Sequence, residues 1–321
     1  MNERREDGTI SPARVAPWSN RRALPWLAFG LYMAVTTTLL IVLGIPIPPD
    51  RYFLVLLVPV LFVRRARSFV LDWSPFLLLL FSYEYLRGLA GRVGEVHYWI
   101  ALDFDSMVFG TPPSVSLQQR FAHQGGGLAS YDYVAAVLYL LHFVLPLSFA
   151  FLLWMRRQEQ FSRFTGAFLL LSYAALATFV VFPAAPPWLA SQQGYLPEVH
   201  EQVGAVLSAF PERLHLPTVY QLFDPNQVAA IPSLHAAYPM LILLFAVRFF
   251  GMRGLVVAPY VAGVWLAVVY MGEHYVFDVA AGALYSVAAF LVVEHLVPRL
   301  RLRVRLRQAR RAGAEPDAAA A

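Results

Sequence analysis

IPSLHAAYPMLILLFAVRFFGMRGLVVAPYVAGVWLAVVYMGEHYVFD, residues 231–278, is the stretch that decides the architecture. Ile231-Pro232-Ser233-Leu234-His235 opens one apolar run, and Gly272-Glu273-His274-Tyr275-Val276-Phe277-Asp278 opens the next. A helix needs ~20 residues to cross a bilayer, so the chain between the two histidines is long enough to cross and return. Both imidazoles are therefore expected at one membrane face.

Working outward, the whole chain has the same character. It has 321 residues, 59% of them hydrophobic and 14% charged, with a mean hydropathy of +0.55. Repeated apolar runs of membrane length predict an all-α polytopic transmembrane helical bundle. The spans are expected near 24–44, 50–63, 69–86, 131–154, 164–182, 232–250, 254–271 and 274–297, which gives six to eight crossings. The second is short, lying between Arg51 and Arg64, and reads as short, tilted or re-entrant. The polar segment up to Arg22 is too long for a cleavable signal, so the first span reads as an anchor. Three parts follow: a cytoplasmic basic segment 1–23, a membrane domain 24–298 and an Arg-rich cytoplasmic tail 299–321, expected to be disordered.

There is no cysteine, which excludes disulfides, zinc-thiolate sites and cysteine nucleophiles. All 25 basic residues are arginine, so a P-loop lysine, a Schiff-base lysine and any lysine phosphate ligand are excluded as well. With eight spans and the N-terminus inside, 20 arginines fall on the inner face and five (Arg51, Arg87, Arg92, Arg120, Arg213) outside, as the positive-inside rule requires. The Arg-rich tail then lies on anionic head groups, and no nucleic-acid partner is needed to explain its charge. The same topology puts segments 87–130 and 183–231 outside, on the histidine face. No internal repeat or dinucleotide fingerprint is present, and Gly125-Gly126-Gly127 falls in a loop.

The chemistry begins at Pro232, which suits the first turn of a helix. Ser233 and the following backbone N–H groups would then form the positive end of a span and a seat for phosphate. His235 lies within one turn of that seat. His274 and Asp278 are four apart and stack on one helical face, so the carboxylate can hold one ring nitrogen and leave the other free to attack. A lone histidine at a helix end is ordinarily an interfacial polar residue, and a His-x-x-x-Asp pair is ordinarily a structural hydrogen bond. Two such histidines on one face, with Pro-Ser ahead of the first, point instead to a nucleophile and a general acid. His142, midway along the fourth span, reads as a core residue hydrogen-bonded to a neighbouring helix.

Pro232-Ser233-Leu234-His235-Ala236 resembles the second signature of the PAP2 phosphatase superfamily, and Gly272-Glu273-His274-Tyr275 through Asp278 resembles its third. Within it the chain looks like the inositolphosphotransferase, inositol phosphorylceramide synthase-like, branch. Tyr83 to Gly88, Phe109-Gly110 with Pro113 and Leu117-Gln118, Tyr139 to His142 with Pro146, Phe182 to Trp188, and Ala229-Ala230 support that reading. The resemblance covers roughly 80–300 and implies a PAP2-like helical core with extracytoplasmic active-site loops. By that resemblance His274 attacks phosphorus to form a phosphohistidine, Asp278 orients it, and His235 protonates the leaving alcohol and then activates the acceptor. Ser233 and nearby amides would hold phosphoryl oxygens, with no metal and no cofactor implied.

The chain also departs from the phosphatase pattern. It has no lysine, Trp188 stands where arginine is expected after Pro186-Pro187, and Val268 stands six residues before His274 in place of arginine. Arg87 is the favoured replacement in the phosphate cage and Arg120 the second. Glu84, on the same helical face as Arg87, would pair with it or bind a substrate hydroxyl. Arg163 falls on the inner face and is excluded.

The expected function is a membrane-embedded lipid phosphotransferase that moves a phosphorylated head group, with phosphoinositol a candidate, between membrane lipids. The alternatives are a lipid or polyprenyl phosphate phosphatase of the same architecture and a non-catalytic transporter or assembly protein. The thin phosphate cage favours a diester, which carries one negative charge, over a monoester with up to two. The arginine usage and alanine-rich tail fit a GC-rich bacterial genome, hence a bacterial plasma membrane with cytoplasmic termini and the site on the extracytoplasmic face. The sequence sets no oligomeric state.

Overall fold

The computed structural model describes residues 66–91, 94–122, 127–211 and 226–300, together with the helical positions 31 and 35. The spans expected at 24–44 and 50–63, and the tail from 301, lie outside the described residues. Among those described, helices alternate with short loops and no strand forms. In chain order they are α1 (Ala66–Ala90), α2 (Trp99–Phe109), α3 (Pro113–Phe121), α4 (Ser130–Arg156), α5 (Gln158–Val181), α6 (Pro187–Gln192), α7 (Gln202–Ser208), α8 (Leu234–Phe250), α9 (Ala258–Tyr270) and α10 (Val276–Leu291).

Among the described residues four helices are long and apolar enough to cross a membrane: Arg67–Ala90, Gln158–Val181, Leu234–Tyr270 and Val276–Leu300. The bent pair Ser130–His142 and Val144–Arg156 makes a fifth if it is one span. The sequence predicts six spans over the same stretch, and the third run accounts for the difference because it doubles back. The Trp265 Nε1–H donates to the Ala236 carbonyl at 3.2 Å, whereas a straight helix would hold those residues about 44 Å apart. A 3-10 turn at Gly251–Val257 makes the reversal, with Gly251 at φ 63° ending α8. Residues 234–270 are therefore two antiparallel limbs, α8 and α9.

Prolines shape the limbs as well. Pro146 in α4 has no N–H to offer the carbonyl of His142, and its ring crowds that carbonyl. The helix bends by 47° there. Pro239 does the same to the carbonyl of His235 in α8. Each histidine thus sits four residues ahead of a helix-breaking proline.

Lipid tails are as apolar as leucine, so the limbs are held by close packing rather than by expulsion from water. A run of buried rings joins α1, α4 and α5: Phe69, Trp73, Phe76, Phe151, Trp154 and Phe161. The tightest approach joins α8 to α10. A Cβ added to Gly282 would lie 2.2 Å from the carbonyl oxygen of Ser233, so only glycine lets these segments meet. Backbone bonds lace the loops at the same end. Residues 183–185 run between His97 and the 228–230 segment, with Ala184 N–H donating to the Val228 carbonyl at 2.8 Å and Ala185 N–H to the His97 carbonyl at 3.0 Å.

Candidate active site

The loop ends of α1, α4, α8 and α10 close around a cavity of about 570 Å³, counting its open mouth. Its polar wall carries Glu84 and Arg87 from α1, His142 from α4, His235 from α8, and Glu273 and His274 from the turn before α10. Asn226 and Gln227 form the rim, and Tyr83, Tyr139, Tyr238 and Trp188 supply the rings. Arg87 is the single cation among the described lining residues.

The two motif histidines meet as expected. His235 Nδ1 and His274 Nε2 lie 3.1 Å apart. The other nitrogen of His274, Nδ1, faces Asp278 Oδ2 at 3.4 Å, the two residues stacked at i and i+4. That separation is within ion-pair range but falls short of an aligned hydrogen bond. Catalytic hydrogen bonds commonly tighten only with substrate present. Asp278, fully buried, has its Oδ2 occupied by the Tyr275 N–H at 2.9 Å, as the third residue of a capped helix. The line Asp278–His274–His235 can hold a proton on His274 Nδ1 and leave Nε2 as the attacking atom.

The turn that carries His274 is braced from several directions, which the sequence reading did not foresee. Asp105 of α2 is fully buried and accepts from the Val276 N–H at 2.9 Å and the Phe277 N–H at 3.1 Å. It satisfies two of the orphan donors at the start of α10, where a negative charge also meets the positive helix end. Burial pushes its carboxyl above the ordinary value, and the two backbone donors pull it part of the way back. Gln118 of α3 donates to the His200 and Tyr270 carbonyls at 2.8 and 2.9 Å and accepts from the His200 N–H at 2.8 Å. Gly272, at φ +79°, lies under the same braces: a Cβ there would stand 2.7 Å from the His200 carbonyl oxygen.

Ser233, expected to hold phosphoryl oxygens, is a buried helix cap that does not line the cavity. Helix α8 begins at Leu234, two residues later than a Pro232 first turn would put it, and Ser233 is its N-cap. Its fully buried Oγ accepts from the Ala236 N–H at 3.2 Å, and its N–H donates to the Asp278 carbonyl at 3.0 Å. It is absent from the cavity wall because α10 presses against it at Gly282. His142 is buried, as expected of a core residue. Its Nδ1 meets the Tyr139 carbonyl of its own helix at 2.6 Å, and its ring faces the cavity.

Of the two arginines expected to bind phosphate, the structure brings only Arg87 to the cavity. Arg87 is paired with Glu84 at 3.2 Å, and its carbonyl accepts from the Asn226 side chain at 3.1 Å. Arg120 lies over the ring of Phe121 near the end of α3 and does not line the cavity. Val268 is fully buried in an apolar cluster, and its carbonyl takes the Glu273 and His274 N–H groups. Arg163 pairs with the buried Glu294 at 3.5 Å, and Arg248 joins the same carboxylate at 2.9 Å, away from the cavity. Among the described residues no group of three His, Asp or Glu side chains converges as a metal site needs.

Comparison with known proteins places the chain in a family. A family model described as PAP2 superfamily matches residues 109–292, which include both histidines, Asp278, Tyr139 and His142. The phosphoinositol dihydroceramide synthase of Bacteroides thetaiotaomicron is 26% identical over 247 residues, spanning 74% of this chain and 80% of that protein. The inositol phosphorylceramide synthase of Candida albicans is 26% identical over 156 residues, 47% of this chain and 33% of that protein. No solved structure matches the chain. With the signature histidines joined in one cavity and the family model covering more than half its length, the chain belongs to the PAP2 superfamily.

Proposed function

We propose that the protein is a membrane-embedded lipid phosphotransferase that moves a phosphoinositol-type head group from a diester lipid to the hydroxyl of a second lipid, through a phosphohistidine on His274. The alignment of Asp278, His274 and His235 carries this reading. In the first step His274 Nε2 forms a bond to phosphorus, the bond from phosphorus to the glycerol oxygen breaks, and His235 gives its proton to that oxygen. In the second step His235 takes the proton of the acceptor hydroxyl, the new oxygen–phosphorus bond forms, and the nitrogen–phosphorus bond breaks. The direct contact between the rings gives way when phosphorus enters between them.

The walls support the substrate class. Arg87 is the one cation among the described lining residues, which suits the single charge of a diester. Glu84, Asn226 and Gln227 offer acceptors and donors to ring hydroxyls. The two similar proteins are named as synthases of phosphoinositol dihydroceramide and of inositol phosphorylceramide. For sidedness, Arg67, Arg156, Arg157, Arg248 and Arg253 sit at the limb ends opposite the cavity. This supports an extracytoplasmic site and a cytoplasmic opposite face.

The test uses purified protein with phosphatidylinositol carrying labelled phosphorus, a ceramide acceptor and, separately, labelled phosphatidic acid. Acceptor-dependent transfer from the diester, lost in His235→Ala and His274→Ala, is expected. Free phosphate released from phosphatidic acid far faster than any diester is processed would overturn the reading.

A further inference from the structure

The cavity holds a third imidazole that the reaction scheme above does not use. The ring of His142 lies 3.8 Å from that of His235 at a tilt of 57°. Tyr139, one turn earlier on the same helix, stacks on His235 at 4.1 Å and 25°. Both α4 residues are almost fully buried, at 1% and 3% exposure, so neither ring has room to swing. We propose that Tyr139 and His142 form an aromatic clamp that fixes the His235 imidazole facing His274, which makes His142 a positioning residue of the phosphotransfer proposed above.

Three features make the clamp stiff. His142 Nδ1 lies 2.6 Å from the Tyr139 carbonyl oxygen, an atom that can only accept, so Nδ1 carries the hydrogen and the ring is tied by its edge. Tyr238 lies parallel to His142 at 6.5 Å and 15°, and Phe168 stacks on Tyr238 in turn at 4.3 Å. The 47° bend of α4 falls at His142, because Pro146 has removed the helical donor from its carbonyl. A straight α4 would carry the two rings along another line. The orientation of His235 is therefore set by a helix bearing none of the three motif residues, and its Nδ1 is held 3.1 Å from His274 Nε2.

The distinction from a chemical role is testable. If His142 acts through shape, His142→Phe keeps the ring face and recovers most of the activity that His142→Ala loses. A misplacement on the order of 1 Å costs about 100-fold in rate, so His142→Ala is expected to lower kcat by roughly 10–100-fold with KM little changed. His142→Phe should return kcat to within a few-fold of wild type and keep the shape of the pH–rate profile. Tyr139→Leu removes the other jaw and should lower kcat in the same way, which keeps the test alive if His142→Ala does not fold. A structure of His142→Ala should show the His235 and His274 rings out of hydrogen-bond reach, whatever lipid the enzyme uses. His142→Phe as inactive as His142→Ala, with one limb of the pH profile gone, would make His142 a proton carrier and overturn the clamp. A loss confined to KM would make it a substrate contact and overturn it equally. His274→Ala, assayed alongside, separates the two readings. Persistent transfer in that variant refutes the phosphohistidine, whereas wild-type kcat in His142→Ala beside a dead His274→Ala refutes the clamp alone.

Discussion

Replacing Asp105 by alanine removes both acceptors from the Val276 and Phe277 N–H groups, which lie 2.9 and 3.1 Å away around a fully buried carboxyl. Each buried donor left unsatisfied costs about 1–3 kcal/mol, so Asp105→Ala should cost about 2–6 kcal/mol. Asp105→Asn keeps one oxygen and loses one bond, for about half of that. At roughly 2–4 °C per kcal/mol, the alanine variant should melt on the order of 10 °C lower. Because the affected turn carries His274 and its helix carries Asp278, transferase activity should fall at temperatures well below the melt. Thermal unfolding in detergent, followed by tryptophan fluorescence beside an activity–temperature curve, measures both. The pH dependence adds a signed check. The folded carboxyl is raised above its unfolded value, so the folded protein binds more protons across the carboxylate range, and stability falls as pH rises from the ordinary 3.8 through the folded value. Asp105→Asn should flatten that slope. An unchanged melting temperature for Asp105→Ala, or equal losses for alanine and asparagine, would show that the capping account is wrong.

Three further outcomes are expected. Gly282→Ala places a Cβ 2.2 Å from the Ser233 carbonyl oxygen, and overpacking of about 1–3 kcal/mol should appear as lower thermal stability together with lost transfer. Arg87→Lys keeps the charge but loses the planar fork that meets Glu84 and a phosphoryl group, so KM for the lipid donor should rise, and rise further in Arg87→Ala, as initial rates over donor concentration would show. The chain has no cysteine, so single replacements at Glu198 and Arg253 report sidedness without background. A membrane-impermeant maleimide applied to whole cells should label position 198 and spare 253 until the membrane is opened, and the reverse pattern would invert the topology.

The last six limbs were legible because their apolar runs are bounded by arginines and by loop residues, and a reversal within 234–270 follows from the length between the two histidines. His235, His274 and Asp278 were legible because one helical turn fixes the relation of the last two. Asp105 was not, since nothing in Asp103-Phe104-Asp105 tells an aspartate in a loop-side helix from one that caps α10, and the contact joins residues about 170 apart in the chain. His142 was legible as a buried residue because of its position within a span, but its contact with His235 was not. The sign of its role lay in its spacing, three residues after Tyr139 and four before Pro146, a pattern repeated by His235 and Pro239. The capping role of Ser233 was hidden because an N-cap serine and a phosphate-binding serine look alike in sequence, and its packing against Gly282 shows only in the fold.

The hairpin of α8 and α9 has an evolutionary consequence. Both reactive histidines and Asp278 come from one contiguous segment, 231–278, that folds back on itself, whereas Glu84, Arg87, Asn226 and Gln227 come from elements outside it. On the proposed reaction, the groups that make and break bonds and those that would meet the head group are thus carried by separate parts of the chain, although α2 and α4 support the first set from outside. A lineage can change which head group it accepts by mutating α1 and the 226–227 rim while the reacting segment stays untouched, and a residue exchange confined to those walls is the shortest route to a transferase of new specificity.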